Sequence, residues 1–475
     1  MSTERMDSKK MWGRAVVVAL LTTLGSAGCG GDDPHVGSAA DDELVEQIGV
    51  WEQHTPVYDT TYYVRPPGQS YGLGDGSSWE DAFSGLPDAR TRGAQYLFAS
   101  GEYFDPSADR IENYVFDDPD PSEQFIGLYK ATADDHGTET GWDPAFAEGP
   151  AEFGPFSFVT GRYIVDGRTG AGTDGYGFRI YHRNCEIRGT DFVASPIFFP
   201  WNSETEYLAV VHADIEDCGN HDDPTTRSQD AIYSVVGPSH VVFRDSYVHD
   251  AWRNLFFVQG SFDVLIQDVY FARAGLHHEA STIALRDTRN VVIRRCVLMD
   301  SVNVYISLQG TRNVTISANL LTRSLDDWDN WSAIFSQEPA RNVLIAGNTF
   351  YNLEGLNTGI RFTSVTDNLE VVNNLWAGCR TNQIMLNGDH HHNGFWDNWR
   401  VDGAEPVSLE DRIDEDTAQF FSADPFVDGA GYDLRLTAPT DPGVSLDHPF
   451  AGSDLSGADR GADGTWDRGA FEYAQ

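Results

Sequence analysis

The sequence predicts an all-β chain: a right-handed parallel β-helix, a solenoid with an N-terminal capping segment and a C-terminal closing segment. Three observations predict it. A pattern of Asn or another polar residue, Val, any residue, Ile, two polar residues, often Asn, any residue and then a large apolar residue recurs between residues 240 and 376. It reads HVVFRDSYV, DVLIQDVYF, NVVIRRCVL, NVTISANLL, NVLIAGNTF and NLEVVNNLW. Its apolar anchors Phe243, Ile266, Ile293, Ile316, Ile345 and Val371 are spaced by 23, 27, 23, 29 and 26 residues. About ten residues before most anchors lies a second alternating stretch, such as TIALRD at 282–287 or VYISLQG at 304–310.

Short alternating strands of this kind cannot bury both faces alone. Stacking coil on coil at ~4.8 Å per rung buries one continuous core, and parallel crossovers are right-handed. A leucine-rich repeat has a similar length, but its Leu-x-Leu frame and helical half are missing. Ile187 and Val211 extend the anchor series upstream. Asn319, Asn348 and Asn374 each stand three places after an anchor, so their amides are expected to bond along the axis. Ser246 and Cys296 fill the same slot, which makes Cys296 an inward structural thiol, and Trp376 sits in an inward core slot.

The elements follow in order. Residues 1–28 read as a signal peptide: Arg5, Lys9, Lys10 and Arg14 precede a short apolar run, Ala15 to Leu24, and then small residues. The run is too short to span a bilayer. SAGC, ending at Cys29, is lipobox-like, although Ser26 stands where Leu is usual, so cleavage nearby with a free Cys29 stays open. Residues 29–57 are a polar, acidic tether, 58–180 an N-terminal cap with irregular first coils, 181–400 the repeats and 401–475 the closing segment.

Charge narrows the partners. The chain carries 32 Lys and Arg against 73 Asp and Glu, a net of −41. Without residues 1–28 the counts are 28 and 71, a net of −43. Such a surface disfavours nucleic acid and anionic membrane, so membrane contact is expected through a lipid anchor only. It suits a salty milieu, or Ca²⁺ bound by clustered carboxylates. Five cysteines, Cys29, Cys185, Cys218, Cys296 and Cys379, make no disulfide framework and no CxxC metal pair.

The repeats resemble those of the pectate-lyase-like superfamily of β-helices. Residues 62–103 are similar to the entry segment of secreted members: a first strand, a Gly/Asp turn, a short capping helix and the first coil. Residues 423–473 resemble the closing segment of bacterial extracellular members. The resemblance implies a fold, not an activity, because lyases, hydrolases, epimerases, adhesins and coat proteins share it. Lysine argues against lyases that use a Lys base in the groove, since Lys130 is the only lysine beyond the signal peptide. Asp230 sits in a DAI like that of the pectate lyases, but no matching basic motif follows, and the paired-Asp signature of polygalacturonases is missing.

Outward residues on successive coils stand in columns, so residues distant in sequence become neighbours. The turn before the second strand offers the richest column: Asp230, Asp250, Arg253, His277, His278, Glu279 and Asp300, with Arg286 and Gln309 on the adjoining strand. For a glycoside hydrolase, carboxylates on neighbouring rungs at ~5–10 Å span both retaining and inverting geometry. For a lyase, Arg253 or Arg286 neutralises a uronate and His277 or His278 takes the proton. Trp252, Trp328 and Trp331 offer faces for sugar rings. Asp222, Asp223 and Asp230 offer oxygens to Ca²⁺, and no organic cofactor is implied. A turn-facing acid in so acidic a chain is otherwise a solvated residue, and the run His390–His392 is a surface loop with no second ligand set.

The sequence thus points to an exported, monomeric lipoprotein, periplasmic or on the cell surface, that binds and cleaves polysaccharide as a lyase or glycoside hydrolase. The alternative is a non-catalytic structural or adhesive solenoid.

Overall fold

The computed structural model describes residues 56–104, 113–119, 123–168, 175–181, 195–217, 230–275, 280–324, 332–355, 359–364, 366–381, 384, 386–402 and 405–473. Each coil contributes a strand to three parallel sheets. Among the described residues sheet A has 13 strands, from Phe83–Ser84 to Asp389–His391, sheet B has 12, from Gly101–Glu102 to Gln419–Phe420, and sheet C has 9, from Tyr114–Phe116 to Ile360–Phe362.

The six anchors fall in register on sheet A: Phe243 beside Ile266, then Ile293, Ile316, Ile345 and Val371. All six are buried, with exposures of 1% or less. Upstream, the residue beside Phe243 is Val210, not Val211. A slip of one residue reverses the face. Val211 therefore points outward, into a second apolar cluster under Phe450. Ile187 lies outside the described residues.

A third strand per coil, which the two-strand reading lacks, explains the large apolar residue closing each repeat. In Val297–Ser301 and its equivalents that residue enters sheet B, so Val248, Phe271, Leu298, Leu321, Phe350, Trp376 and Phe395 stack inward. The A–B corner carries the expected amide ladder. Asn319 Nδ2 donates to Asn348 Oδ1 (2.9 Å), Asn348 to Asn374 (2.9 Å) and Asn374 to Asn393 (3.1 Å). Asn393 Nδ2 in turn donates to the Glu415 carboxylate at 2.9 Å. Cys296 and Cys379 are buried.

A second ladder was not anticipated. Asn290, Asn313, Asn342 and Asn368 open successive sheet A strands at φ of 54°, 54°, 52° and 59°. Asn tolerates this left-handed conformation better than most residues. Each amide donates to the one before it, and Asn290 to Asp263 at 2.9 Å.

The ends differ from expectation. No α-helix occurs among the described residues. In place of the capping helix, turns set the fully buried Trp79 against Tyr63 and Trp142. The closing segment does not only seal the last coil but runs back along the outside. Phe426, Leu434 and Leu436 cover the outer face of sheet B over Ala272, Met299 and Leu375. Arg460 pins the cover, donating to the carbonyls of Gly347 (3.2 Å) and Gly469 (2.6 Å). No helix among the described residues is long and apolar enough to cross a membrane.

Candidate functional site

On rungs nearer the N-terminus the outer face of sheet B is charged. The strands Ala213–Glu216 and Tyr247–Ala251 pair Asp214 with Tyr247 and Glu216 with His249, which points these side chains outward on two adjacent rungs. His249 bridges two carboxylates: Nε2 lies 2.8 Å from Asp214 Oδ1 and Nδ1 lies 2.6 Å from Asp250 Oδ2. Arg273, one rung on, donates through its second terminal nitrogen to Asp250 Oδ2 (2.7 Å) and to the Tyr247 hydroxyl (3.0 Å). The Tyr247 ring stacks on His249 at 4.0 Å and 18°.

Burial works against the imidazolium, but the hydrogen bonds and charges of Asp214 and Asp250 prevail and lift His249 to about 9. Burial likewise opposes the Asp250 carboxylate, yet Arg273 and His249 bring it down to about 2. At neutral pH His249 is a proton donor held between two carboxyl groups, and it is not poised as a general base.

Three residues past Asp250 the chain turns into sheet C, and Asp230 sits at that corner one rung earlier. Asp230 is fully buried rather than on an exposed column. Its carboxylate accepts from Arg253 (3.2 Å and 2.6 Å) and from the Asn254 backbone (2.8 Å) and side-chain (2.7 Å) nitrogens. Burial pushes its carboxyl above the ordinary value against those four bonds. Asn254 Oδ1 passes the link to the Ser281 amide at 2.8 Å. Asp230 is thus placed to hold the corner, and its guanidinium partner is the part that reaches outward, with the Arg253 side chain 35% exposed.

The other candidates are distributed around this corner. Trp252 is half-buried in the turn between Asp250 and Arg253, Arg286 is exposed at the end of its strand, and Gln309 is half-buried one rung further. Gln309 donates to Ser307 Oγ (3.0 Å) and accepts from the backbone of Gln337 and Glu338. Asp300 is buried and holds Ser324. His277, His278, Glu279, Trp328, Trp331, Asp222, Asp223 and Cys29 lie outside the described residues. Among the described residues no group of three or more His, Cys, Asp or Glu is arranged to hold a metal ion.

Sequence reading missed Asp214, His249 and Arg273. The available signal was positional: all three stand in the sheet B strand of successive coils.

Residues 230–399 match the family model described as "Right handed beta helix region". The chain is a right-handed parallel β-helix. No curated protein matches it. Among solved structures it is similar to the pectate lyase Pel9A, at 13% identity over 88% of this chain and 98% of that one, with a TM-score of 0.44. The Streptococcus pneumoniae surface protein and adhesin PfbA is 12% identical over 80% and 94%, with a TM-score of 0.30. The PL6 family alginate lyase AlyGC is 12% identical over 84% and 58%, with a TM-score of 0.34. At such identities and scores the likeness says nothing about activity.

Proposed function

We propose that this protein is an exported surface lipoprotein that binds polysaccharide at the corner between sheets B and C and cleaves it. The observation that supports this most is the charged network of Asp214, His249, Asp250 and Arg273 on the outer face of sheet B beside Arg253, with His249 buried at its centre and the other side chains partly exposed. It gathers carboxylates, a proton-donating imidazolium and guanidinium groups on one half-open surface of a solenoid whose neighbouring surface is sealed. Planar polar groups of these kinds are what sugar hydroxyls and acidic substituents bond to. His277, His278 and Glu279 stand in the sequence between Arg273 and Ser281. Calcium enters this reading only through Asp222 and Asp223.

Purified protein screened against uronate-containing and neutral polysaccharides tests it. Unsaturated products absorbing in the ultraviolet identify a lyase, and new reducing ends without them a glycoside hydrolase. No product and no glycan binding across a broad panel would remove the reading. Acylation at Cys29 is checked separately, by fatty-acid labelling that Cys29→Ser should abolish.

One observation favours a second reading, a non-catalytic adhesive or structural solenoid. Asp230, Asp250 and His249 are all already bonded within the protein, as in a scaffold's ion pairs. On that reading binding occurs without product, and Asp250→Asn leaves it unchanged.

A further inference from the structure

Sheet C carries an aromatic column on its outer face. Phe198, Tyr233 and Phe257 occupy one outward position on successive rungs. All three are half-buried. Their rings stack nearly parallel, Phe198 on Tyr233 at 6.1 Å and 7°, and Tyr233 on Phe257 at 5.4 Å and 20°. The column then breaks. The next residue in register is Ala284, followed by Ser307. One face of Phe257 meets Tyr233, and on the other side its neighbour in register is Ala284, which has no ring to continue the stack.

The break lies beside a cation. Arg286 follows Ala284 by two residues on the same face of its strand, between Gln259 and Gln309 in register. It is exposed and has no ion-pair partner among the described residues. In a chain with 73 acidic residues and 32 basic ones, most described arginines do have such a partner, Arg90, Arg179, Arg253, Arg273, Arg295 and Arg460 among them.

We propose that the step from Phe257 to Ala284 is a saccharide subsite, taking one pyranose ring stacked on Phe257 with an anionic substituent directed to Arg286. The apolar face of a pyranose, its run of axial C–H bonds, is the surface that stacks on an aromatic ring. The guanidinium supplies paired donors to a carboxylate or sulfate. The net charge of −41 opposes an acidic glycan at long range, so the attraction for its anionic substituent has to come locally from the Arg286 guanidinium. Gln259, half-buried in the position next to Arg286, can bond a ring hydroxyl. The subsite rests on the polysaccharide reading and narrows it to acidic glycans, approached from the sheet C side of the same corner.

The test uses the full chain with four probes: an oligogalacturonate, its methyl ester, a sulfated chondroitin hexasaccharide and neutral maltohexaose. Ala284→Phe extends the aromatic stack into the step and blocks it, and Phe257→Ala removes the platform should the larger side chain prevent folding. Arg286→Gln keeps hydrogen bonding without charge. The expected result is binding of at least one acidic probe, weakened about ten-fold by Ala284→Phe or Phe257→Ala at unchanged melting temperature. Arg286→Gln should bring the acidic probe to the level of the neutral ones, and the source of the anion follows from whether carboxylate or sulfate binds. Binding that is indifferent to all three substitutions, or equal for neutral and acidic probes, overturns the subsite. If none of the four binds while the wider panel still yields a polysaccharide ligand, the subsite falls and the functional reading stands. If the wider panel also yields nothing, both fall.

Discussion

The outer face of sheet B is one surface with two halves. Along one column the residues run Glu216, His249, Ala272, Met299, Thr322, Tyr351, Ala377 and Trp396, and along the next Asp214, Tyr247, Tyr270, Val297, Leu320, Thr349 and Leu375. The backbone is the same throughout, but the first two rungs are charged and the rest apolar or small. The closing segment covers the second half, in a cluster that Tyr247 joins from the first. Apolar surface left in water costs roughly 25 cal/mol per Å², so the lower half requires its cover, whereas the upper half satisfies its polar groups by ion pairs and hydrogen bonds. What distinguishes scaffold from candidate site here is side-chain polarity on an unchanged coil.

The comparison breaks first at the cover. Glu472→Ala strips the buried Arg460 of its carboxylate, whose side chains are 7% and 2% exposed. An uncompensated buried cation costs about 3–5 kcal/mol, read as a shift in the denaturant midpoint. Next, Leu434→Ala, at a residue 1% exposed against sheet B, should cost about 3 kcal/mol by leaving a cavity under the cover. Neither change should alter the hydrogen bonds at His249.

The open half should announce itself through pH. His249 is raised from 6.5 to about 9, so its stabilising contribution is complete below pH 6.5 and is lost as pH climbs through 9. Its upper bound is about 3 kcal/mol. His249→Asn should flatten that part of the stability curve, and an unchanged slope between pH 6.5 and 9 would count against the bridged imidazolium. The smallest effect belongs to the fully solvated edge. Arg341 and Asp367 pair at 3.4 Å with side chains 66% and 68% exposed, and Arg341→Ala should change stability by no more than about 0.5 kcal/mol.

Much of the fold was legible because a coil of about 25 residues repeats its core. Ile266, Ile293 and Ile316 announce their register by spacing, and Asn319, Asn348 and Asn374 announce their ladder. Where the pattern weakens, register is lost, as at Val210 and Val211, which are both Val and differ only in the face they meet. The short third strand was hidden because two or three apolar residues after an Asn read equally well as the end of a turn.

The site was legible in part. The corner holding Asp250 and Arg253 was marked by their shared slot. That Asp230 turns inward was not, because its partners Arg253 and Asn254 lie 23 and 24 residues on, and only the rung spacing joins them. Asp214 and His249, 35 residues apart, meet for the same reason. Neither residue is unusual where it stands in the sequence.

The central claim is that the charged B–C corner, and not the half under the closing segment, engages glycan. Hydrogen–deuterium exchange of the full chain, with and without a polysaccharide found to bind, measures this most directly. The account predicts slowed exchange at residues 230–233 and 247–259, with no change across the closing segment at 421–473. Slowing confined to the closing segment, with the corner unaffected, would contradict it.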